Sequence, residues 1–138
     1  LTVKSVADLK GKNVAVVANS AGDIACSKVF GKASSNIKRF DNTPLVLEEL
    51  SAGGVDAAVG DIGVFAYYAL QNPEKQFNMA RDPSFEDQYF GIAFRKGNTE
   101  LRDKVNEGLK KIIANGEYAK IYAKWFGDKT QPPKLPIP

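Results

Sequence analysis

The chain contains no histidine and only one cysteine among its 138 residues. The absence of histidine excludes an imidazole-based catalytic triad or zinc site, and a single thiol cannot form an internal disulfide. Cys26 lies in an apolar helical stretch. We therefore expect it to be a small buried core residue rather than a nucleophile.

Long apolar runs and dense basic runs are also missing. No run approaches the roughly 18 apolar residues that a membrane-spanning helix needs. The formal net charge is +3, which is too mild and too dispersed to predict a nucleic-acid or membrane surface. The sequence begins at Leu1 without a methionine or a signal peptide. We therefore expect it to be a processed or truncated piece of a longer gene product.

Short β-branched or apolar runs alternate with segments of helical spacing along the chain. The runs predict strands at 13–18, 36–42, 55–60, 76–80 and 89–97. The helical spacing predicts helices at 24–33, from Pro44 to the Gly53-Gly54 pair, at 61–72, from Thr99 to Gly116 and at 117–127. Such alternation implies parallel pairing through right-handed crossovers. We therefore expect an α/β fold with one open, mostly parallel sheet and helices on both of its faces.

The helix after the second predicted strand has clear start signals. Thr43 is predicted to be its N-cap, because Pro44 fits the first helical position without losing a hydrogen bond. Leu45, Leu47 and Leu50 are predicted to form its buried face.

One carboxylate, Asp61, stands where the strand "VDAAVG" stops and the next helix begins. Aspartate at such a position often accepts hydrogen bonds from the first turn, which is worth about 1 kcal/mol. A second interpretation is a carboxylate that pairs with an α-ammonium group in a cleft. The two interpretations are compatible, because one oxygen can cap the helix while the other faces a ligand.

The loop "NSAGD" follows the first predicted strand. An ordinary strand-to-helix turn explains it, with Ser20 as an N-cap and Asp23 as a favourable partner of the helix dipole. The alternative is a cradle in which Ser20, Ala21 and Gly22 bind a carboxylate through backbone amides and one hydroxyl. The loop is not a nucleotide P-loop, because it lacks the lysine and the full glycine spacing. Ligands of parallel sheets bind where such loops gather.

Aromatic side chains recur at helical spacing near the end of the chain, at Tyr118, Tyr122, Trp125 and Phe126. This spacing is more typical of a packing face than of a stacking platform, and we predict that these residues belong to a core.

Three stretches together resemble the amino-acid-binding proteins of bacterial ABC importers, with the glutamine-binding members most similar. They are "DLKGKNVAVVANSAGD", "VDAAVGD" and "QYFGIAFRKGNTELRDKVNEGLKKIIANGEYAKIYAKWFG". The resemblance implies a two-lobed protein of the type II periplasmic-binding fold that closes on a free amino acid. It implies that Asp61 receives the α-ammonium group and that the loop at 19–22 supplies donors to the ligand.

The resemblance also divides the chain. Residues 1–88 correspond to the second lobe, 89–127 to a returning strand and two helices that complete the first lobe, and 128–138 to a proline-rich tail. Most of the first lobe would precede Leu1. We therefore expect "FGIAFRKG" to fill a vacated strand position, either in its own chain or, as a domain-swapped homodimer, in a partner's chain.

The chain departs from the family in the binding loop. Asn19-Ser20-Ala21-Gly22 stands where Gly-Thr-Thr-Gly or a similar run is usual. Ala18 stands where glutamine binders often carry a longer polar residue that contacts the ligand side chain. The candidate ligand-binding residues are therefore Ala18, Asn19, Ser20, Ala21, Gly22 and Asp61, and the ligand is expected to be a polar amino acid, with glutamine as the first candidate.

The resemblance implies a non-catalytic function without a cofactor or a metal. The chain would be the substrate-binding component, or a fragment of it, of an amino-acid ABC transporter in the periplasm or at the outer cell surface. Its partners would be the free amino acid and the membrane subunits of the permease. Two alternatives stay open: an enzyme on the same fold, such as a cyclohexadienyl dehydratase, and the extracytoplasmic sensor module of a receptor.

Overall fold

The computed structural model describes residues 3–85, 89–127 and 132–136. The chain divides into two compact units, Leu1–Glu86 and Asp87–Pro138. Within the described ranges, no helix is both long and apolar enough to cross a lipid bilayer.

The first unit alternates strands with helices, as the sequence predicts. Its elements are a 3₁₀ turn at Val6–Leu9, β1 at Val14–Val17, α1 at Ala21–Phe30, β2 at Ile37–Phe40, α2 at Thr43–Ser51, β3 at Ala57–Ala58, α3 at Ile62–Gln71 and a second 3₁₀ turn at Pro73–Lys75. The strands form a three-stranded parallel sheet in the order β2-β1-β3. This arrangement confirms the α/β class and the parallel sheet.

The central strand β1 is covered on both faces, which explains why it is an unbroken apolar run. Side chains alternate between the two faces of a strand. Val14 and Val16 pack on one face with Cys26 of α1 and with the 3₁₀ turn. Ala15 packs on the opposite face with Val46 of α2 and with Val55. Cys26 is fully buried, as predicted.

The start of α2 differs from the prediction by one residue. Asn42, not Thr43, is the N-cap, and its Oδ1 accepts a hydrogen bond from the backbone N–H of Leu45 at 3.1 Å. The buried face is also shifted, since Val46 and Leu47 are buried whereas Leu45 is 40% exposed. Val46 packs with Ala15 of β1 and with Val55, so the helix turns this residue rather than Leu45 towards the sheet.

Two predicted strands do not form. Residues 76–80 and 89–97 are irregular, and the sheet of the described residues has only β1, β2 and β3. The expectation that "FGIAFRKG" adds a strand to the sheet of its own chain is therefore wrong. Strand propensity expresses packing against neighbouring strands, and in the part of the chain that the structure describes this segment pairs with no strand. Accordingly, Phe90 is 89% exposed.

The second unit contains α4 at Thr99–Ala114 and α5 at Glu117–Phe126. Asn98 caps α4 by accepting a hydrogen bond from the N–H of Leu101 at 3.3 Å. The aromatic rings of α5 contact one another, with centroids 6.1 Å apart for Tyr118–Tyr122 and 4.5 Å apart for Tyr122–Phe126. No described residue of either helix is fully buried. The predicted aromatic core is thus only a half-buried cluster.

Candidate functional site

Two loops meet at the carboxyl edge of the sheet because β1 and β3 are parallel neighbours. Their register pairs Ala15 with Ala58, and the N–H of Val59 donates to the carbonyl of Ala15 at 3.0 Å. The loop at 19–22 follows β1 and leads into α1. Asp61 follows β3 and precedes α3. Both loops therefore leave the same edge side by side, as expected for ligand-binding loops of a parallel sheet.

A cavity of about 160 Å³ lies at this edge. It is lined by three polar residues, Ser20, Thr43 and Asp61, together with Val17, Val46, Val59, Gly60, Val64 and Phe65. Each of the three polar residues stands at the beginning of a helix that follows one of the three strands. The cavity thus combines one carboxylate and two hydroxyls with an apolar wall, a composition typical of small-ligand sites.

Asp61 occupies the N-cap position of α3, but its side chain makes no capping hydrogen bond. The capping interpretation is therefore wrong for the carboxylate, although it is right for the backbone, whose carbonyl accepts from the N–H of Phe65 at 3.2 Å. The helix does not use the carboxylate oxygens. An exposed carboxylate beside an apolar cavity can pair with a cation such as an α-ammonium group.

Part of the backbone of the 19–22 loop already forms hydrogen bonds within the first unit. Asn19 adopts a left-handed conformation with φ of 61°, a region that asparagine tolerates better than most residues. Its N–H donates to Asp23 Oδ2 at 3.0 Å, and the N–H of Ser20 donates to the carbonyl of Val17 at 3.2 Å. The first intrahelical bond of α1 runs from Ile24 to Ser20.

This arrangement narrows the set of donors that could reach a ligand. The amides of Ala21 and Gly22 precede the first intrahelical hydrogen bond of α1, and such amides commonly bind anions. Ser20 Oγ accepts from the N–H of Asp23 at 3.3 Å. A hydroxyl that accepts one hydrogen bond still has its own proton to donate. The loop can therefore offer one hydroxyl and two amides to an anionic group.

Asp23 has a larger role than the dipole partner that the sequence suggests. It is only 7% exposed. Its oxygens also accept from Ser27 Oγ at 3.1 Å and from Arg39 Nε at 3.0 Å. The Arg39 guanidinium is the main cause of a lowered pKa of the Asp23 carboxyl. The bond from Asn19 then ties the 19–22 loop to the ion pair of the buried Asp23 with the partly exposed Arg39.

Gly22 is required by packing. A Cβ atom at this position would overlap the backbone carbonyl of Val59 and crowd the Cα of Gly60. Only glycine lets the first turn of α1 approach the end of β3 so closely. This contact brings the two loops together.

The structure thus separates the six candidate residues. Ser20 and Asp61 line the cavity, whereas Ala18, Asn19, Ala21 and Gly22 flank it on the β1 loop.

Sequence reasoning missed Thr43 and the apolar wall formed by Val64 and Phe65. The signal for Thr43 was its position after β2, since the carboxyl end of a third parallel strand lies at the same edge. Within the described ranges, no cluster of three or more metal-ligating side chains is present.

Parallel α/β units commonly bind small ligands at the carboxyl edge of the sheet, where the loops converge. Residues 5–128 match the family of bacterial extracellular solute-binding proteins, family 3, and the chain belongs to this family. The match covers both units and confirms the family resemblance of the sequence.

Individual relatives are similar over most of this chain. A probable histidine-binding protein of Neisseria gonorrhoeae is 42% identical over 125 residues, which cover 90% of this chain and 47% of the relative. The ABC transporter glutamine-binding protein GlnH of Bacillus subtilis is 32% identical over 90% of this chain and 44% of its own length. The chain therefore spans about half the length of the curated relatives it matches.

A solved structure agrees with these relatives. The arginine-, lysine-, histidine-binding protein ArtJ of Geobacillus stearothermophilus superposes with a TM-score of 0.71 and 43% identity, covering 98% of this chain and 57% of that structure. All three proteins are named for what they bind and none is named as an enzyme.

Proposed function

We propose that this chain is part of a solute-binding protein that captures a free polar amino acid outside the cytoplasm and delivers it to the membrane subunits of an ABC importer. The observation that carries the proposal is the shared cavity of Ser20 and Asp61, in which the Asp61 side chain is not used to cap its helix. The names of the relatives support an amino-acid ligand, since they specify histidine, glutamine, arginine and lysine.

In this proposal the two loops neutralise opposite ends of a zwitterion. Asp61 receives the α-ammonium group, and the Ser20 hydroxyl with the amides of Ala21 and Gly22 binds the α-carboxylate. A hydrogen bond to a charged group in such a site contributes about 1.5–3 kcal/mol. Asn19 and Ala18 position the loop rather than contact the ligand, because the N–H of Asn19 donates to Asp23 and the N–H of Ala18 donates to the carbonyl of Phe40.

The ligand side chain is proposed to be polar and nitrogen-bearing, with glutamine as one member of that class. The cavity wall offers Thr43 as a polar contact beside Val64 and Phe65. The residues that line the cavity include one carboxylate but no cation to pair with an α-carboxylate. We therefore expect the 138-residue chain to bind amino acids only weakly, with the remaining contacts supplied by the rest of a longer protein.

The experiment is a titration of the ¹⁵N-labelled chain with glutamine, arginine and histidine, followed by amide chemical shifts. We expect the shifts to change at 20–22 and around Asp61. N-acetylglutamine, which lacks the ammonium group, is expected to bind about tenfold more weakly than glutamine to the wild type. In Asp61→Asn this preference for glutamine should disappear, whereas Asp103→Asn on α4 should retain it.

Two results would contradict the proposal. One is an undiminished preference for glutamine over N-acetylglutamine in Asp61→Asn. The other is a pattern of shift changes that avoids both loops. Sub-micromolar affinity for any amino acid would contradict the narrower expectation that this chain holds only part of the site.

A further inference from the structure

A second and larger cavity lies between α2 and α3. We call it the α2–α3 groove. It measures about 470 Å³ and is lined by Thr43, Pro44, Leu47, Glu48, Ser51, Val64, Tyr67, Tyr68 and Lys75. It shares only Thr43 and Val64 with the cavity of Ser20 and Asp61. Its volume falls within the range of small-molecule sites.

The polar groups of the groove converge on the Tyr68 hydroxyl. Lys75 Nζ donates to Tyr68 Oη at 2.9 Å, and Ser51 Oγ lies 3.3 Å from the same atom. The Ser51 hydroxyl donates its own proton to the carbonyl of Leu47 at 2.6 Å. Ser51 can therefore only accept from Tyr68, which fixes the direction of the chain of hydrogen bonds. The Tyr68 ring also contacts the Phe77 ring, with centroids 5.9 Å apart.

This network leaves a positive charge at one end of an apolar groove. A lysine ammonium has three N–H donors, and the bond to Tyr68 uses one of them. The hydrogen bond from Lys75 also lowers the pKa of the Tyr68 phenol, with a smaller contribution from Ser51.

We propose that the α2–α3 groove is a second ligand site, which takes small monoanions with an apolar body. The anionic head would bind the Lys75 ammonium beside Tyr68 Oη, and the apolar body would lie on Pro44, Leu47 and Val64. Apolar pockets with a few convergent polar groups are the usual form of small-molecule sites.

Glu48 restricts the ligand to one negative charge. Its carboxylate also lines the groove and repels other negatively charged groups nearby. A second carboxylate on the ligand would meet this repulsion without a second cation among the lining residues. The groove therefore favours a single negative charge at the Lys75 end.

The test uses 4-phenylbutyrate as the probe, with amide shifts of the full 138-residue chain as the readout. We expect shift changes at Ser51, Tyr68 and Lys75. The neutral analogue 4-phenylbutanamide is expected to bind about tenfold more weakly, the effect of one charged hydrogen bond. Lys75→Met should abolish this difference, and Lys12→Met, which removes an exposed lysine outside the groove, should not.

Glu48 provides a second and independent readout. Phenylsuccinate, a dicarboxylate, should bind more weakly than 4-phenylbutyrate to the wild type, and Glu48→Gln should reduce this difference in affinity.

Equal binding of 4-phenylbutyrate and its amide would overturn the proposal, as would shift changes confined to α4 and α5. Asp61→Asn separates the two sites, because it should weaken amino-acid binding and leave 4-phenylbutyrate binding unchanged.

Discussion

At the scale of single residues, Asp23 links the 19–22 loop to the interior of the first unit. Its carboxylate accepts from the N–H of Asn19, from Ser27 Oγ and from Arg39 Nε. Arg39 in turn donates to the carbonyl of Lys32 at 3.0 Å and so connects β2 with the end of α1. The left-handed Asn19 is held by this network and not by the proposed ligand. The bend at 19–22 is therefore formed before any ligand arrives.

We predict that Asp23→Asn lowers the free energy of unfolding by about 2 kcal/mol at neutral pH, because it removes the negative charge that pairs with the Arg39 guanidinium. The folded-state pKa of Asp23 is lowered from 3.8. Its stabilisation is therefore complete above about pH 5 and is lost as the pH falls through the folded-state pKa. Urea unfolding at pH 7 and pH 3 measures this effect.

The difference between wild type and Asp23→Asn should shrink at pH 3, while Asp103→Asn on α4 should match the wild type at both values. A difference that stays constant with pH would show that the carboxylate charge is not what stabilises the loop.

At the scale of elements, the site depends on how closely α1 approaches β3. Gly22 touches the backbone of Val59, and Gly60 lies directly beyond it. A wider separation would move Ser20 away from Asp61 while leaving each helix intact. The distance between two elements, and not the sequence of either loop, therefore sets the width of the cavity.

We predict that Gly22→Ala destabilises the first unit by about 1–3 kcal/mol, because the added methyl group overlaps the Val59 carbonyl. Cys26 is the only cysteine and is fully buried in this unit, and burial raises the pKa of its thiol to about 11. The rate of thiol labelling therefore reports opening of the first unit. Gly22→Ala should label faster than the wild type.

Gly108→Ala is the matched control. A Cβ atom at Gly108 meets nothing within 4 Å, and alanine is favoured over glycine inside a helix by about 0.5–1 kcal/mol. This variant should leave Cys26 labelling unchanged and raise the stability reported by Trp125 fluorescence. Equal labelling of Gly22→Ala and the wild type would refute the packing argument.

At the scale of the whole molecule, the second unit exposes large apolar side chains. Four of them lie on its two helices, namely Leu101, Ile113, Ile121 and Trp125, each at least 40% exposed. Burying a side chain of this size is worth about 1.5–3 kcal/mol. Exposed apolar faces of this kind favour association.

We therefore predict that the 138-residue chain self-associates at high concentration, the outcome that a domain-swapped homodimer would also give. Size-exclusion chromatography with light scattering measures the mass. Replacing Ile121 and Trp125 with glutamate should shift the mass towards the monomer, whereas replacing the exposed Lys110 should not. A wild-type chain that remains monomeric at the highest concentration would rule out both association and the swapped dimer.

Much of the fold followed from local patterns. The unbroken apolar run of β1 and the periodicity of α4 are local signals, and both elements formed where they were predicted, within a few residues. The strands predicted at 76–80 and 89–97 failed because strand formation depends on neighbours that local sequence does not contain. The N-cap of α2 is Asn42 and not the predicted Thr43, because both residue types are good caps and local sequence does not choose between them.

The sequence by itself determined the alternation of strands and helices from β1 to α3, the family, and the two loops that carry Ser20 and Asp61, because periodicity and motif order are written along the chain. Only the tertiary structure decided that Asp61 leaves its helix uncapped, that Thr43 joins the same cavity, and that Asp23 and Gly22 support the site. These features depend on which atoms meet across parallel strands. That proximity arises only when separate elements pack against one another.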